Sequence, residues 1–176
     1  EEVVKRYQAI TISELLPLLS SSAEELSWNI LPTEDDLAYR AALEDAVLDP
    51  EILKKHAPKL VFTPIHGTGA IAAIPALWDH GVEVAVVDEQ NQHDPNFSTV
   101  ISPNPENPEA LKKGIAVAVK TKADLVLASD PDCDRIGVAV RTTGGKYQCL
   151  TGNQIATMLA EYRLLVARRK KIITDD

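Results

Sequence analysis

Cysteine is nearly absent: Cys133 and Cys149 are the only two in 176 residues, and neither sits in a CxxC or Cys/His pattern. That excludes a disulfide framework and fits a reducing cytosol. Missing too is any apolar run approaching the roughly 20 residues of a membrane-crossing helix, and the first residues lack a signal-like apolar core. Cations are outnumbered, with 18 Lys and Arg against 26 Asp and Glu and a net charge of −8. Nucleic acid and anionic membrane surfaces require clustered Lys and Arg. The one basic cluster, Arg168 to Lys171, reads as the solvated last turn of a helix. A soluble cytoplasmic protein with neither nucleic acid nor membrane as partner is expected. Ser20, Ser21 and Ser22 have no neighbouring His or Gly-rich elbow, so they read as a polar loop and not as a nucleophile.

What is present is enough apolar material for a core, 45% of residues, arranged with two different periods. Residues 1–32 read as a strand or helix leading into a short helix. Thr33, followed by Glu34, Asp35 and Asp36, has the chemistry of a helix N-terminus. That helix is expected to run to about Leu48, with Leu37, Ala41 and Leu48 facing the core, and to end at Asp49 and Pro50.

From Lys59 strands and helices alternate. Leu60 to Phe62 is a strand, Thr63 to Gly69 a turn, and Ala70 to His80 a helix closed by Gly81. Val82 to Val87 is a second strand, followed by a long polar loop from Asp88 to Asn107 whose length suggests function. Pro108, capped by Asn107, opens a helix to about Lys122. Leu125 to Ser129 and Ile136 to Val140 are further strands, and Gly144-Gly145 marks a turn. A last helix spans about Asn153 to Arg169, with Ile155, Met158, Leu159, Tyr162, Leu165 and Val166 on one apolar face. Glu1 in place of Met, and a strand just beginning at Ile172, read as an excised piece of a longer chain. The expected fold is α/β, a three-layer βαβαβ arrangement around a mixed, mainly parallel sheet with helices on both faces.

Between the strands at Leu125 and Ile136 lies DPDCDR, with Asp130, Asp132 and Asp134 alternating and Arg135 directly behind. Three carboxylates this close repel one another, and in a tight loop all three can turn to one point that suits a hard cation such as Mg²⁺. An EF-hand Ca²⁺ loop is excluded by position, because the sixth place from Asp130 is Arg135 and the twelfth is Arg141. A phosphoaspartate hydrolase lacks its following Thr or Ser. A guanidinium beside the triplet is what phosphate chemistry uses.

Gly67, Gly69 and Ala72 form a rival motif, G-x-G-x-x-A between strand and helix, with Asp88 about 20 residues on, as in a dinucleotide-binding fold. NAD binding on that motif would leave the aspartates without a role, and four residues separate the strand from Gly67. His66 reads as a hydrogen-bonded structural residue of the turn.

Four stretches in order, FTPIHGTGA, SPNPENPEAL, SDPDCDRIGVAV and LTGNQIATMLAEY, make this chain resemble the α-D-phosphohexomutase superfamily of phosphoglucomutases and phosphomannomutases. The resemblance implies a second domain over residues 59–149, with residues 1–58 as its helical lead-in and 150–176 as the start of a third domain. It implies that Asp130, Asp132 and Asp134 are Mg²⁺ ligands and that Arg135 assists phosphoryl transfer. The partners it implies are a sugar phosphate and a phosphoserine of a first domain that completes the metal site. In the family that serine passes its phosphoryl group to the sugar phosphate and recovers the other phosphate from the reoriented bisphosphate. Neither the serine motif T-x-S-H-N-P nor the sugar loop G-E-E-S-G-H occurs here, and Cys133 replaces a small residue such as Gly or Ala. The chain alone is therefore expected to be inactive, and a non-catalytic relative with the same fold is the further alternative.

Overall fold

A computed structural model describes residues 2–20, 33–44 and 46–173. The chain divides into two units, Glu1–Leu37 and Ala38–Asp176. The first carries two helices, α1 (Glu2–Ala9) and α2 (Ile12–Ser20). Thr11 starts α2, its backbone N–H donating to the Glu14 carboxylate at 2.7 Å, an exchange that satisfies one orphan donor of the helix end. Ser21 and Ser22 of the expected loop lie outside the described residues.

The unit boundary falls within α3 (Thr33–Glu44), which is shorter than the sequence implies and has no buried residue. Leu37, expected in the core, is exposed. Pro50 does not end this helix but begins another, α4 (Pro50–His56), where its missing N–H is harmless at the first position. Lys54, Lys55 and His56 lie in the last turn of α4, where positive charge opposes the helix dipole.

Five strands form one sheet in the order β2-β1-β3-β4-β5: β1 (Lys59–Thr63), β2 (Glu83–Val86), β3 (Leu125–Ser129), β4 (Ile136–Arg141) and β5 (Tyr147–Leu150). β1 is parallel to both β2 and β3, while β3–β4 and β4–β5 are antiparallel, so the sheet is mixed as expected. α5 (Gly69–Asp79) and α6 (Lys112–Thr121) connect the parallel strands.

Alternation along the strands builds two cores. Leu60, Phe62, Leu125 and Leu127 pack with Ile74 and Leu77 of α5. Val61, Val126, Ala128 and Ala139 pack with Ala118, Ile115 and Leu111 at α6. Successive side chains of a strand point to opposite faces, so α5 and α6 cover opposite faces of the sheet. This is the three-layer α/β architecture that the sequence pattern implies.

Four details depart from the expected pattern. α6 begins at Lys112 and not at Pro108, because residues 104–112 fold through successive turns in which Asn107, Ala110 and Lys112 donate to the carbonyls three residues before them. β5 was not anticipated. The final helix, α7 (Gly152–Arg169), has the expected length, but Met158, Leu159 and Leu165 are exposed and among its residues only Val166 is buried. Ile172 and Ile173 bend instead of starting a strand, and residues 174–176 lie outside the described part. Among the described residues no helix is long and apolar enough to cross a membrane.

Candidate functional site

From β1 the chain passes through α5 to β2 on one side, then returns through α6 to β3 on the other. The carboxyl ends of β1 and β3 therefore flank a topological switch point, the place where open α/β sheets bind ligands. Two connections meet there: the glycine turn after β1 and the acidic loop after β3.

The acidic loop brings the three aspartates together, with one oxygen from each of Asp130, Asp132 and Asp134 lying within 4.8 Å of the others. They differ in setting. Asp130 is fully buried at the end of β3 and accepts from the Arg135 backbone N–H at 3.1 Å and from Arg135 Nε at 2.8 Å. Asp132 and Asp134 are exposed. Burial pushes the Asp130 carboxyl up, but the Arg135 N–H, a hydrogen bond with Asp134 and the guanidinium together bring it below the ordinary value. Asp134 moves the other way, raised by its hydrogen bond to Asp130 and by the charge of Asp132. The opposite shifts of the two carboxyls are the mark of their mutual repulsion.

Arg135 is half exposed, and its Nε also reaches Asp134 Oδ1 at 3.4 Å. Contact with Asp130 holds the guanidinium even more firmly protonated. The arrangement thus offers clustered oxygen ligands and one fixed cation side by side. The fold brings these four residues together.

The glycine turn is occupied by protein. A Cβ on Gly67 would lie 2.2 Å from Pro131 Cα, and one on Gly69 would lie 2.2 Å from Ser129 Oγ and 3.1 Å from Cys133 Sγ. Thr68 donates from its backbone N–H at 3.1 Å and from Oγ1 at 3.3 Å to the Pro131 carbonyl. The glycines serve close approach of the acidic loop, in the space where a dinucleotide-binding motif would receive pyrophosphate.

Backbone strain is concentrated in this turn. Ile65 (φ +44°) and His66 (φ +64°) are consecutive left-handed residues, and both are buried. Each costs roughly 1–2 kcal/mol, more for a β-branched side chain. In the acidic loop Cys133 (φ +66°) is left-handed as well.

A hydrogen-bond chain running from buried Thr63 and Gln90 to half-buried Thr99 holds the strained residues, and sequence reasoning found only one of its members. Ile65 N–H donates to Thr63 Oγ1, which donates to Gln90 Oε1 at 2.8 Å. Gln90 Nε2 donates to Thr99 Oγ1 at 3.1 Å. His66 Nδ1 lies 2.7 Å from the Gln92 carbonyl and Nε2 lies 2.7 Å from Thr99 Oγ1. Because a carbonyl only accepts, the neutral ring carries its proton on Nδ1, and Thr99 donates to Nε2. His66 is the structural residue expected of it. Thr63, Gln90 and Thr99 gave no signal, since polar side chains look alike until folding pairs them.

The comparisons with known proteins agree with this architecture. Residues 38–145 match the family model of the phosphoglucomutase/phosphomannomutase α/β/α domain II. Phosphoglucomutases of Staphylococcus aureus strains N315 and USA300 are 40% and 39% identical over 108 residues, which is 60% of this chain and 19% of each relative. The chain thus spans about a fifth of the length of the curated relatives it matches. Among solved structures, one described as a putative phosphomannomutase from Thermus thermophilus superposes with a TM-score of 0.62 and 27% identity, over 78% of this chain and 30% of that one. A phosphoglucomutase/phosphomannomutase family protein from Burkholderia thailandensis gives 0.52 and 25% over 72% and 26%. With the family model covering well over half of its length, the chain belongs to the phosphoglucomutase/phosphomannomutase family and carries that family's α/β/α domain II.

Proposed function

We propose that Asp130, Asp132 and Asp134 hold Mg²⁺, and that Arg135 grips a phosphoryl group, in a protein that moves phosphate between two positions of a sugar phosphate. The observation that carries this reading is the convergence of three carboxylates beside one guanidinium at the switch point of a domain of this family. The donor set fits the ion. Three carboxylates and one guanidinium leave a formal charge of −2, all three ligands are hard oxygens, and Cys133 Sγ turns to Thr68 Oγ1 at 3.5 Å. When bound, Mg²⁺ supplies positive charge to oxygens of the transferring phosphoryl group. Arg135 engages Asp130 and Asp134 through Nε, which leaves its terminal nitrogens as donors to a phosphate oxygen. Asp130 fixes the guanidinium in place, and Asp132 and Asp134 present their oxygens toward solvent, where a substrate arrives.

The serine that carries the phosphoryl group, and the contacts that select the sugar, are assigned to polypeptide outside these 176 residues. Residues 150–176 are assigned to the beginning of the next domain, and the chain by itself is inactive in this reading. The test is Asp132→Ala in the full-length protein. Mutase turnover is expected to vanish and calorimetric Mg²⁺ binding to be lost, while the apo fold keeps or gains stability because repulsion on Asp134 is relieved. Unchanged turnover would remove the metal role.

A further inference from the structure

We propose that Thr99, acting through Gln90 and His66, is a positioning residue for the acidic loop, so that Mg²⁺ binding depends on a hydroxyl that touches none of the metal ligands. The inference rests on the metal reading above and deepens it. Thr99, half-buried, is the node of the chain: its hydroxyl accepts from Gln90 Nε2 and donates to His66 Nε2. Gln90 in turn fixes Thr63, and its backbone carbonyl accepts from the His66 N–H at 2.8 Å. The residues so held, Ile65 and His66, are the left-handed pair whose conformation aims Gly67 and Thr68 at Pro131.

A strained conformation persists only where its surroundings over-determine it. Here side-chain hydrogen bonds are part of those surroundings, beside the His66 N–H bond to the Gln90 carbonyl and the burial of Ile65 in the core. If the node is removed, the turn can relax toward ordinary φ values. Thr68 then withdraws its two hydrogen bonds from the Pro131 carbonyl, which lies between Asp130 and Asp132. The long loop after β2, polar and otherwise unexplained, thereby gains a role, since residues 88–99 deliver Gln90 and Thr99 to the turn. Asp94 accepts from the backbone N–H groups of Asn96 and Ser98, which shapes the loop just before Thr99.

The experiment compares Thr99→Val, which keeps the shape and deletes the hydroxyl, with Thr99→Ser, which restores it, in the full chain. Mg²⁺ affinity is measured by calorimetry well below the melting transition, and exchange of the Thr68 amide is followed by NMR without metal. Thr99→Val is expected to weaken Mg²⁺ binding about tenfold, as outer-sphere changes do at metal sites, and to speed Thr68 exchange. Thr99→Ser is expected to recover both. A Thr99→Val chain that melts earlier yet binds Mg²⁺ like the parent overturns the proposal, leaving the network a purely stabilising part. Failure of Thr99→Ser to recover affinity overturns it too. Asp132→Ala is run alongside. If it loses binding while Thr99→Val does not, the positioning role alone fails; if Asp132→Ala itself keeps full binding, the metal reading fails and the proposal falls with it.

Discussion

Gly67→Ala is the sharpest test of how the two connections at the switch point fit together. Gly67 is not in the left-handed region, so alanine is conformationally acceptable there. In open space such a change would stabilise the fold by about 0.4–1 kcal/mol, through a less flexible unfolded chain. Sterics decide the sign instead. The added methyl would stand 2.2 Å from Pro131 Cα, 2.6 Å from its carbonyl oxygen and 2.7 Å from its carbonyl carbon. All three are backbone atoms, so no side chain can swing aside, and the acidic loop must shift. Overpacking of this kind costs typically about 1–3 kcal/mol, and loss of the Thr68–Pro131 hydrogen bond adds about 1 kcal/mol. A net loss of about 2–3 kcal/mol is expected, equivalent to roughly 4–12 °C in Tm for a chain of this size. Urea and thermal melts measure it, and Mg²⁺ affinity should fall in parallel because Asp130 and Asp132 flank Pro131. Gly144→Ala is the control, since its nearest neighbour would be Thr142 Oγ1 at 4.0 Å. If Gly67→Ala melts like Gly144→Ala and binds Mg²⁺ normally, the loop does not rest on the turn and the packing argument is wrong.

Two further outcomes are expected. Tyr147→Phe should destabilise the fold by about 0.5–1.5 kcal/mol in urea melts, because the Tyr147 hydroxyl donates to the carbonyls of Ala118 and Ala123 and ties β5 to the end of α6; no change would mean that water serves those carbonyls equally well. Asp94 is held at about 2 by hydrogen bonds from the Ser98 hydroxyl and from the backbone N–H groups of Ser98 and Asn96. A depressed carboxyl contributes stability that is present above its ordinary value near 3.8 and lost as pH falls through about 2. Protection of the Ser98 amide should therefore fade across that window, while Asp94→Asn should show weaker protection at neutral pH and no such fading.

The parallel half of the sheet was legible because each of its elements carries a strong local signal. Leu125 to Ser129 is apolar on both faces, and Gly81 (φ +74°) stops α5 where a left-handed residue is needed. The chemical cluster was legible for a similar reason, since alternation in a short loop constrains where carboxylates can go. β5 was not, because Tyr147 to Leu150 is four residues long and acquires its identity from pairing with β4. α4 carried readable signals, Pro50 at its first position and three basic residues in its last turn, but the same proline also reads as a terminator. The exposed face of α7 shows the limit of periodicity: it reports that Met158, Leu159 and Leu165 share one face of the helix, not which partner covers them. Thr99 and Gln90 were invisible because nothing local marks a polar side chain whose partner lies 27 or 33 positions away.

The division of labour within the acidic triplet follows from burial. Asp130, wholly buried and held by the Arg135 N–H and Nε, already has its hydrogen bonds made when no ion is present. Its position is therefore a property of the fold, and the proposed metal site would need little reorganisation there to take a cation. Asp134, with its side chain 70% exposed and its carboxyl raised by its neighbours, is the member of the cluster left facing solvent. In the proposed metal site a bound cation would relieve the repulsion that raises Asp134, so cation affinity should strengthen as pH rises through the carboxylate range. Arg135 links the two roles. By neutralising Asp130 it lets one carboxylate be buried as part of the core, and by doing so from the Nε side it keeps the rest of the guanidinium facing the exposed carboxylates, where a phosphate would meet both charges at once.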